Sequence, residues 1–174
     1  HNLTMVMLGA GLLWFGWFGF NAGSAYAADN TAAIAATNTL LATCAAGLAW
    51  LIVEKIRDKK ATSLGAASGI VAGLVAITPA CANVTPMGAI LLGLVAGAVC
   101  AWAVTLKYKL GFDDSFDVVG IHLVGGLVGT LALGFLASDL VEEGGQNGLL
   151  YGGDVNLLIV QIIAAAGVMV YSLI

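Results

Sequence analysis

The stretch "DSFDVVGIHLVGGLVG", Asp114–Gly129, opens on charge and then runs apolar, with one histidine set among glycines and branched aliphatics. The same alternation of short charged connectors and long apolar blocks fills the rest of the chain. Of its 174 residues 60% are hydrophobic and only 9% are charged. Mean hydropathy is +1.01. A soluble domain carries about 25% charged residues, so this chain lacks the material to wet its own surface. In a bilayer, backbone polar groups must be satisfied inside each spanning element, which leaves helices for blocks of this length. The expected fold is all-α, a polytopic transmembrane helix bundle.

Helices are expected over residues 3–28, 31–53, 63–78, 86–106, 114–136 and 155–174, all within one transmembrane domain. The apolar part of the third, Leu64–Ile77, is short. Its ~14 residues reach ~21 Å against a hydrocarbon core of ~30 Å, so it must extend into its flanks or lie inside the bundle. "TPACANVTP" (Thr78–Pro86) follows as a turn between two prolines, with Pro86 placed to open the fourth helix. In the fifth segment Asp114 fits an N-cap. Asp117 then falls at the third helical position, where a carboxylate meets free backbone donors and the positive dipole end.

Glycine spacing speaks to packing. Gly65, Gly69 and Gly73 lie four apart, as do Gly19 and Gly23, Gly93 and Gly97, and Gly125 and Gly129. Small residues at this interval let transmembrane backbones approach closely. The pattern favours a tight bundle over a wide aqueous pore.

All six basic residues fall in "EKIRDKK" (Glu54–Lys60) and "KYK" (Lys107–Lys109), and none in the acidic connector Ser138–Asp154. The positive bias places the first two connectors in the cytoplasm and the acidic one outside. Alternate crossings then satisfy every connector, with the first helix running outward. No basic patch with interleaved aromatics exists, so nucleic acid is excluded as a partner. Cys44, Cys81 and Cys100 lack ligand spacing and read as small hydrophobes; no metal and no cofactor are expected. Asn83–Thr85 forms a glycosylation sequon by pattern only. The chain opens on "HNLTM", without initiator methionine or charged leader, and is expected to be part of a longer protein.

Two groups carry chemistry. His122 lies eight residues past Asp114, ~12 Å along a straight helix. An imidazole at that depth is costly to bury, and such residues tend to face the bundle interior or a conduction path. The neutral ring offers one donor and one acceptor, enough to pass a small polar solute or relay a proton. In the first helix Trp17, Phe20 and Ser24 follow an i, i+3, i+7 stripe. Ser24 lies ~6 Å above Phe20, toward the outer end. Aromatic faces attract cations and a hydroxyl accepts a hydrogen bond from one, but an aromatic interface belt reads equally from composition. No nucleophile–base pair or carboxylate pair marks an enzyme.

"GWFGFNAGSA" (Gly16–Ala25), "TPACA" (Thr78–Ala82) and "DDSFDVVGIHLVGGLVG" (Asp113–Gly129) resemble, in order, three signatures of the Amt/Mep/Rh ammonium transporter family. The "WFGFNAGS" run resembles the Amt form more than the Rh form, and the likeness extends over nearly the whole chain. That resemblance implies eleven transmembrane helices, the first ten in two inverted five-helix halves, assembled as a homotrimer with one pore per subunit. This chain would be the second five-helix repeat plus the start of the eleventh helix. Phe20 would match one of two stacked phenylalanines closing the outer pore, Ser24 the outer ammonium-recruiting serine, and Trp17 a pore-lining tryptophan. His122 would match the second of two facing pore histidines, and Asp117 a motif aspartate supporting the helix. The implied location is the plasma or inner membrane.

The physical logic is coherent. Bare ammonium pays heavily to enter a low-dielectric pore, whereas ammonia is neutral and small. An outer cation site, an aromatic stopper and imidazoles beyond it select ammonium, strip a proton and pass ammonia. The first-half histidine, phenylalanine, tryptophan and aspartate of the family pattern do not occur in this chain. The family's cytoplasmic tail, which a nitrogen-signalling regulator would touch, does not occur either. Two alternatives stand beside transport. One is an ammonium sensor in which the same fold drives a signalling partner; the other is a scaffold whose His122 is packed and silent.

Overall fold

The structure, a computed structural model, describes residues 2–141 and 144–174. His1 of the opening and Glu142 and Glu143 of the acidic connector lie outside the described residues. The described chain is helical: α1 (Leu3–Asn21), α2 (Asn30–Asp58), α3 (Ser63–Ile77), α4 (Pro86–Ala103), α5 (Leu106–Leu110), α6 (Val124–Leu136) and α7 (Asn156–Tyr171). A π-helical turn, Val118–Leu123, leads into α6. Among the described residues, four helical stretches are long and apolar enough to cross a membrane: Leu3–Ala25, Asn30–Asp58, Pro86–Leu110 and Val118–Leu136.

Side-chain caps set several starts. Asn2, Asp29, Thr62 and Thr85 each accept the backbone N–H three residues on, closing one of the free amides at the start of α1, α2, α3 and α4. Pro86 takes the first turn of α4, where its missing N–H costs nothing.

Helix α2 is the centre of the bundle, between α3 and α4. Ala42 and Ala46 are fully buried. The glycines opposite them explain the approach. A Cβ on Gly73 of α3 would stand 2.7 Å from the Thr43 Cα, and one on Gly97 of α4 would stand 2.7 Å from the Ala46 Cα. Both helices therefore meet α2 backbone to backbone, where dispersion contacts replace the hydrophobic drive that lipid removes. Gly19 and Gly23 differ: a Cβ at either would meet nothing within 4 Å. Their spacing does not mark an interface within this chain.

α6 packs across α3 and α4, α1 leans on α3 and α2, and α7 rests on α6. Helix α3 is the short segment, and nine of its fifteen residues are buried. At ~22 Å it lies inside the bundle instead of spanning alone. The buried threonine hydroxyls of α2 are satisfied, whereas the Asn38 side-chain oxygen is buried without a partner. The Thr39 and Thr43 hydroxyls donate to carbonyls four residues back, at 2.6 Å each, and the Asn21 amide donates to the Thr39 hydroxyl at 3.0 Å.

Several boundaries differ from the sequence reading. Helix α1 ends at Asn21, and a tight 3₁₀ turn, Gly23–Ala25, follows before Tyr26 at φ +55°. Ser24 thus sits in a turn, not on the helical stripe. Helix α2 runs on through the basic connector to Asp58, because apolar Ile56 keeps its pattern until Lys59 turns left-handed at φ +65°. The fifth segment starts at Val118, since Asp117 takes φ +56°. Asp117 is therefore not a third-position helical residue. His122 stands ~6 Å from the start of the helical segment at Val118, not ~12 Å past an N-cap at Asp114.

The two ends of the bundle have different chemistry. Glu54, Arg57, Lys107, Tyr108 and Asp117 line one cleft at the end that carries the basic connectors. At the other end the TPACANVTP turn is the hub. Asn38 on α2 donates to the Cys81 and Val84 carbonyls at 2.8 and 2.7 Å. Val84 forms an isolated bridge with Ala137, Ser138 donates to the Asn83 carbonyl at 2.9 Å, and the Thr85 and Tyr151 hydroxyls meet at 3.0 Å.

Candidate functional site

The site is built around the junction of α1, the end of α3 and α6. Trp17 on α1 donates its indole N–H to the Thr78 hydroxyl at 2.8 Å. Thr78 in turn donates to the Leu74 carbonyl at 2.7 Å, capping the last turn of α3. Pro79 follows directly and stops that helix, with no N–H to continue it. Its ring packs on α6, where a Cβ at Gly129 would stand 3.0 Å from the Pro79 Cγ.

His122 comes from the π-helical turn. Asp114, nearly buried, draws that turn together. Its carboxylate accepts the Val118, Val119 and Gly120 amides at 2.7, 2.9 and 3.3 Å. Three free donors and the positive end of the helix dipole therefore share one anion. Asp117 does not cap with its side chain. Its carboxylate pairs with the Lys107 ammonium at 2.7 Å, and the same ammonium donates to the Asp114 carbonyl at 2.9 Å. The Asp117 carboxylate thus ties the basic connector to the turn. One-turn π insertions are uncommon and recur at functional sites.

His122 is exposed and lines an open groove of about 440 Å³, together with Thr78, Pro79, Thr130, Ala165 and Met169. The lining is apolar apart from the imidazole and the two hydroxyls. A second cavity of about 190 Å³ holds Ser24 with Asn21, Thr31, Thr78, Pro79 and Asn83. Ser24 donates its hydroxyl to the Phe20 carbonyl at 2.6 Å, leaving the oxygen lone pairs for an incoming donor. Thr78 and Pro79 line both cavities.

Phe20 is exposed, with its ring edge-on to Trp17 at 5.8 Å between centroids and 78° between planes. The two line an open concavity of about 530 Å³ on α1, with Leu12 and Leu13. Phe20 does not line the His122 cavity. The structure therefore brings Ser24, Trp17 and His122 around Thr78 and leaves Phe20 on the outer face beside Trp17. Sequence reasoning passed over Thr78, Asn38 and Lys107. A threonine directly before proline, at the end of an apolar helix, is the signal that Thr78 offered.

A family model described as the Ammonium Transporter Family matches residues 1–174. The ammonium transporter of Mycobacterium bovis is 58% identical over 177 residues, covering 99% of this chain and 37% of that protein. The ammonium transporter of Bacillus subtilis is 49% identical over 172 residues, covering 98% of this chain and 42% of that protein. The chain thus spans about two fifths of the length of these curated relatives. Among solved structures, Mep2 of Saccharomyces cerevisiae aligns with TM-score 0.87 and 39% identity, over 95% of this chain and 38% of Mep2. A structure described as a sensor Amt protein aligns with TM-score 0.81 and 32% identity, over 95% of this chain and 40% of that one.

Proposed function

The chain belongs to the ammonium transporter family, and from that premise we propose that it forms one side of an ammonium-conducting pore in the plasma or inner membrane. Ser24 recruits ammonium from outside by accepting its N–H. Phe20 and Trp17 stand below as an aromatic stopper that favours a cation at the mouth and keeps water out. At that mouth ammonium passes a proton to outside water, because the neutral molecule crosses the apolar passage at far lower cost than the ion. His122 then exchanges hydrogen bonds with ammonia where water is scarce. Potassium has no proton to lose and stays outside.

One observation carries this reading: Ser24 and His122, far apart in sequence, line two cavities that share the Thr78–Pro79 wall. The remaining wall of the passage would come from an inverted half of the parent protein, in a homotrimer. A cytoplasmic nitrogen-signalling regulator would meet the end that carries Arg57 and Lys107.

The test uses the complete parent protein in liposomes, wild type and His122→Ala, with current and internal pH recorded after an ammonium jump. A wild-type response that the substitution alters supports the pore reading. An unaltered response in His122→Ala removes His122 from the path. No response in wild type favours the second reading, an ammonium sensor, which the likeness to the sensor Amt structure keeps in play.

A further inference from the structure

The TPACA run has a chemistry that the pore reading leaves unassigned. Its first residue, Thr78, makes two hydrogen bonds with one hydroxyl: it accepts the Trp17 indole N–H at 2.8 Å and donates to the Leu74 carbonyl at 2.7 Å. That arrangement fixes the hydroxyl rotor. The proton is committed to Leu74, so the oxygen must present a lone pair to the indole. Its neighbour Pro79 is fixed against α6 at Gly129, as its close approach there shows. The same two residues line both the Ser24 pocket and the His122 cavity. Trp17 itself packs against the cluster of Trp50, Val75 and Ile121, and Val75 also lines the His122 cavity.

We infer that Thr78 is a positioning residue, whose hydroxyl fixes the orientation of the Trp17 indole behind the wall that the Ser24 pocket and the His122 groove share. It acts through Trp17 and touches the passage only as its wall. The inference rests on the transport reading for its consequence, while the hydrogen bond itself is independent of it. Without the acceptor, the part-buried indole N–H loses its partner, and the ring is free to leave the orientation it holds against the shared wall. Trp17 also meets Phe20 edge to face, so a turned indole disturbs the aromatic pair above as well.

Valine matches threonine in shape but offers no acceptor, and serine keeps the hydroxyl while losing a methyl. In the complete transporter, uptake is measured against ammonium and methylammonium concentration for wild type, Thr78→Val, Thr78→Ser, Trp17→Phe and the Thr78→Val/Trp17→Phe double variant. Thr78→Val is expected to raise the half-saturating ammonium concentration about tenfold and to narrow the discrimination between the two amines. Thr78→Ser is expected to stay within about twofold of wild type, and the double variant to match Trp17→Phe alone, because coupled residues are not additive. Wild-type behaviour in Thr78→Val, or effects that multiply in the double variant, overturns the inference.

A second readout needs no transport. The Trp17 indole N–H resonance, assigned by its loss in Trp17→Phe, should shift in Thr78→Val and hold its place in Thr78→Ser. If wild type takes up no ammonium, the transport reading falls and this resonance alone decides. An unmoved resonance in Thr78→Val overturns the positioning role.

Discussion

Glu54 holds Thr62 by two bonds: its carboxylate accepts the Thr62 backbone N–H at 2.8 Å and the Thr62 hydroxyl at 2.9 Å. The Thr62 hydroxyl oxygen accepts the Gly65 amide at 2.9 Å and so caps α3. One buried acid at the foot of α2 thereby sets where α3 begins. A Cβ on Gly65 would stand 2.6 Å from the Glu54 Cδ, so the carboxylate seats only over a glycine. Glu54→Ala should weaken the fold by about 1–3 kcal/mol, the cost of leaving buried donors unmet. Glu54→Gln should fall between, because its amide has one accepting oxygen for two donors. An SDS titration of the detergent-solubilised protein, followed by tryptophan fluorescence, reads the difference. Equal midpoints for all three proteins would remove Glu54 from the start of α3.

Gly97→Ala and Gly47→Ala separate close approach from glycine content. The first drives a methyl to 2.7 Å from the Ala46 Cα. The second meets only the Ile70 Cγ1, at 3.8 Å. Overpacking at Gly97 should cost about 1–3 kcal/mol, whereas Gly47→Ala should be neutral or gain up to ~1 kcal/mol from helix propensity. The same titration tests both, and a Gly97→Ala midpoint equal to wild type would show that α4 can draw back from α2.

These comparisons also show which parts of the fold the sequence made legible. Composition and block length disclose a helical membrane chain because lipid leaves few alternatives for the backbone. Small-residue spacing located the contacts of Gly73, Gly97 and Gly129, where backbones do meet. The same spacing at Gly19 and Gly23 is followed by open space, since periodicity says which face is smooth and not what lies against it. That the Asp114 carboxylate meets free helix amides was legible from its residue type, but the N-cap position itself belongs to Asp117. The π turn and the left-handed Asp117 were not legible, because their contacts join separate segments, with Lys107 reaching across from α5 to Asp114 and Asp117. Trp17 and Ser24 were read as one helical stripe with Phe20, and His122 as a second, separate signal. Their common neighbour Thr78 becomes visible only when α3 ends between them.

Asp117 carries its own test. It is left-handed at φ +56° and paired with Lys107 at a partly exposed site. Asparagine tolerates that conformation and alanine does not. Asp117→Asn should therefore lose only the ion pair, about 0.2–1 kcal/mol, while Asp117→Ala adds a conformational cost of about 1–2 kcal/mol. Asn should also lose less on raising salt than wild type, as the pair is screened. Identical midpoints for the two variants would mean that the left-handed turn carries no cost.

Ser24→Ala probes the outer pocket. The Ser24 hydroxyl already donates to the Phe20 carbonyl at 2.6 Å, so all it can offer a solute is an accepting lone pair. One hydrogen bond to a charged donor contributes about 1.5–3 kcal/mol. Its loss should raise the half-saturating ammonium concentration by roughly ten- to a hundredfold, since about 1.4 kcal/mol is tenfold in an equilibrium constant. The rate at saturating ammonium should change little, because the bond is made at the mouth and not at the crossing. Uptake curves of the complete transporter, wild type and Ser24→Ala, measure both quantities. A fall in the saturating rate with no change in half-saturation would move Ser24 from recruitment to the passage itself, and the 190 Å³ pocket would then be part of the conduction path.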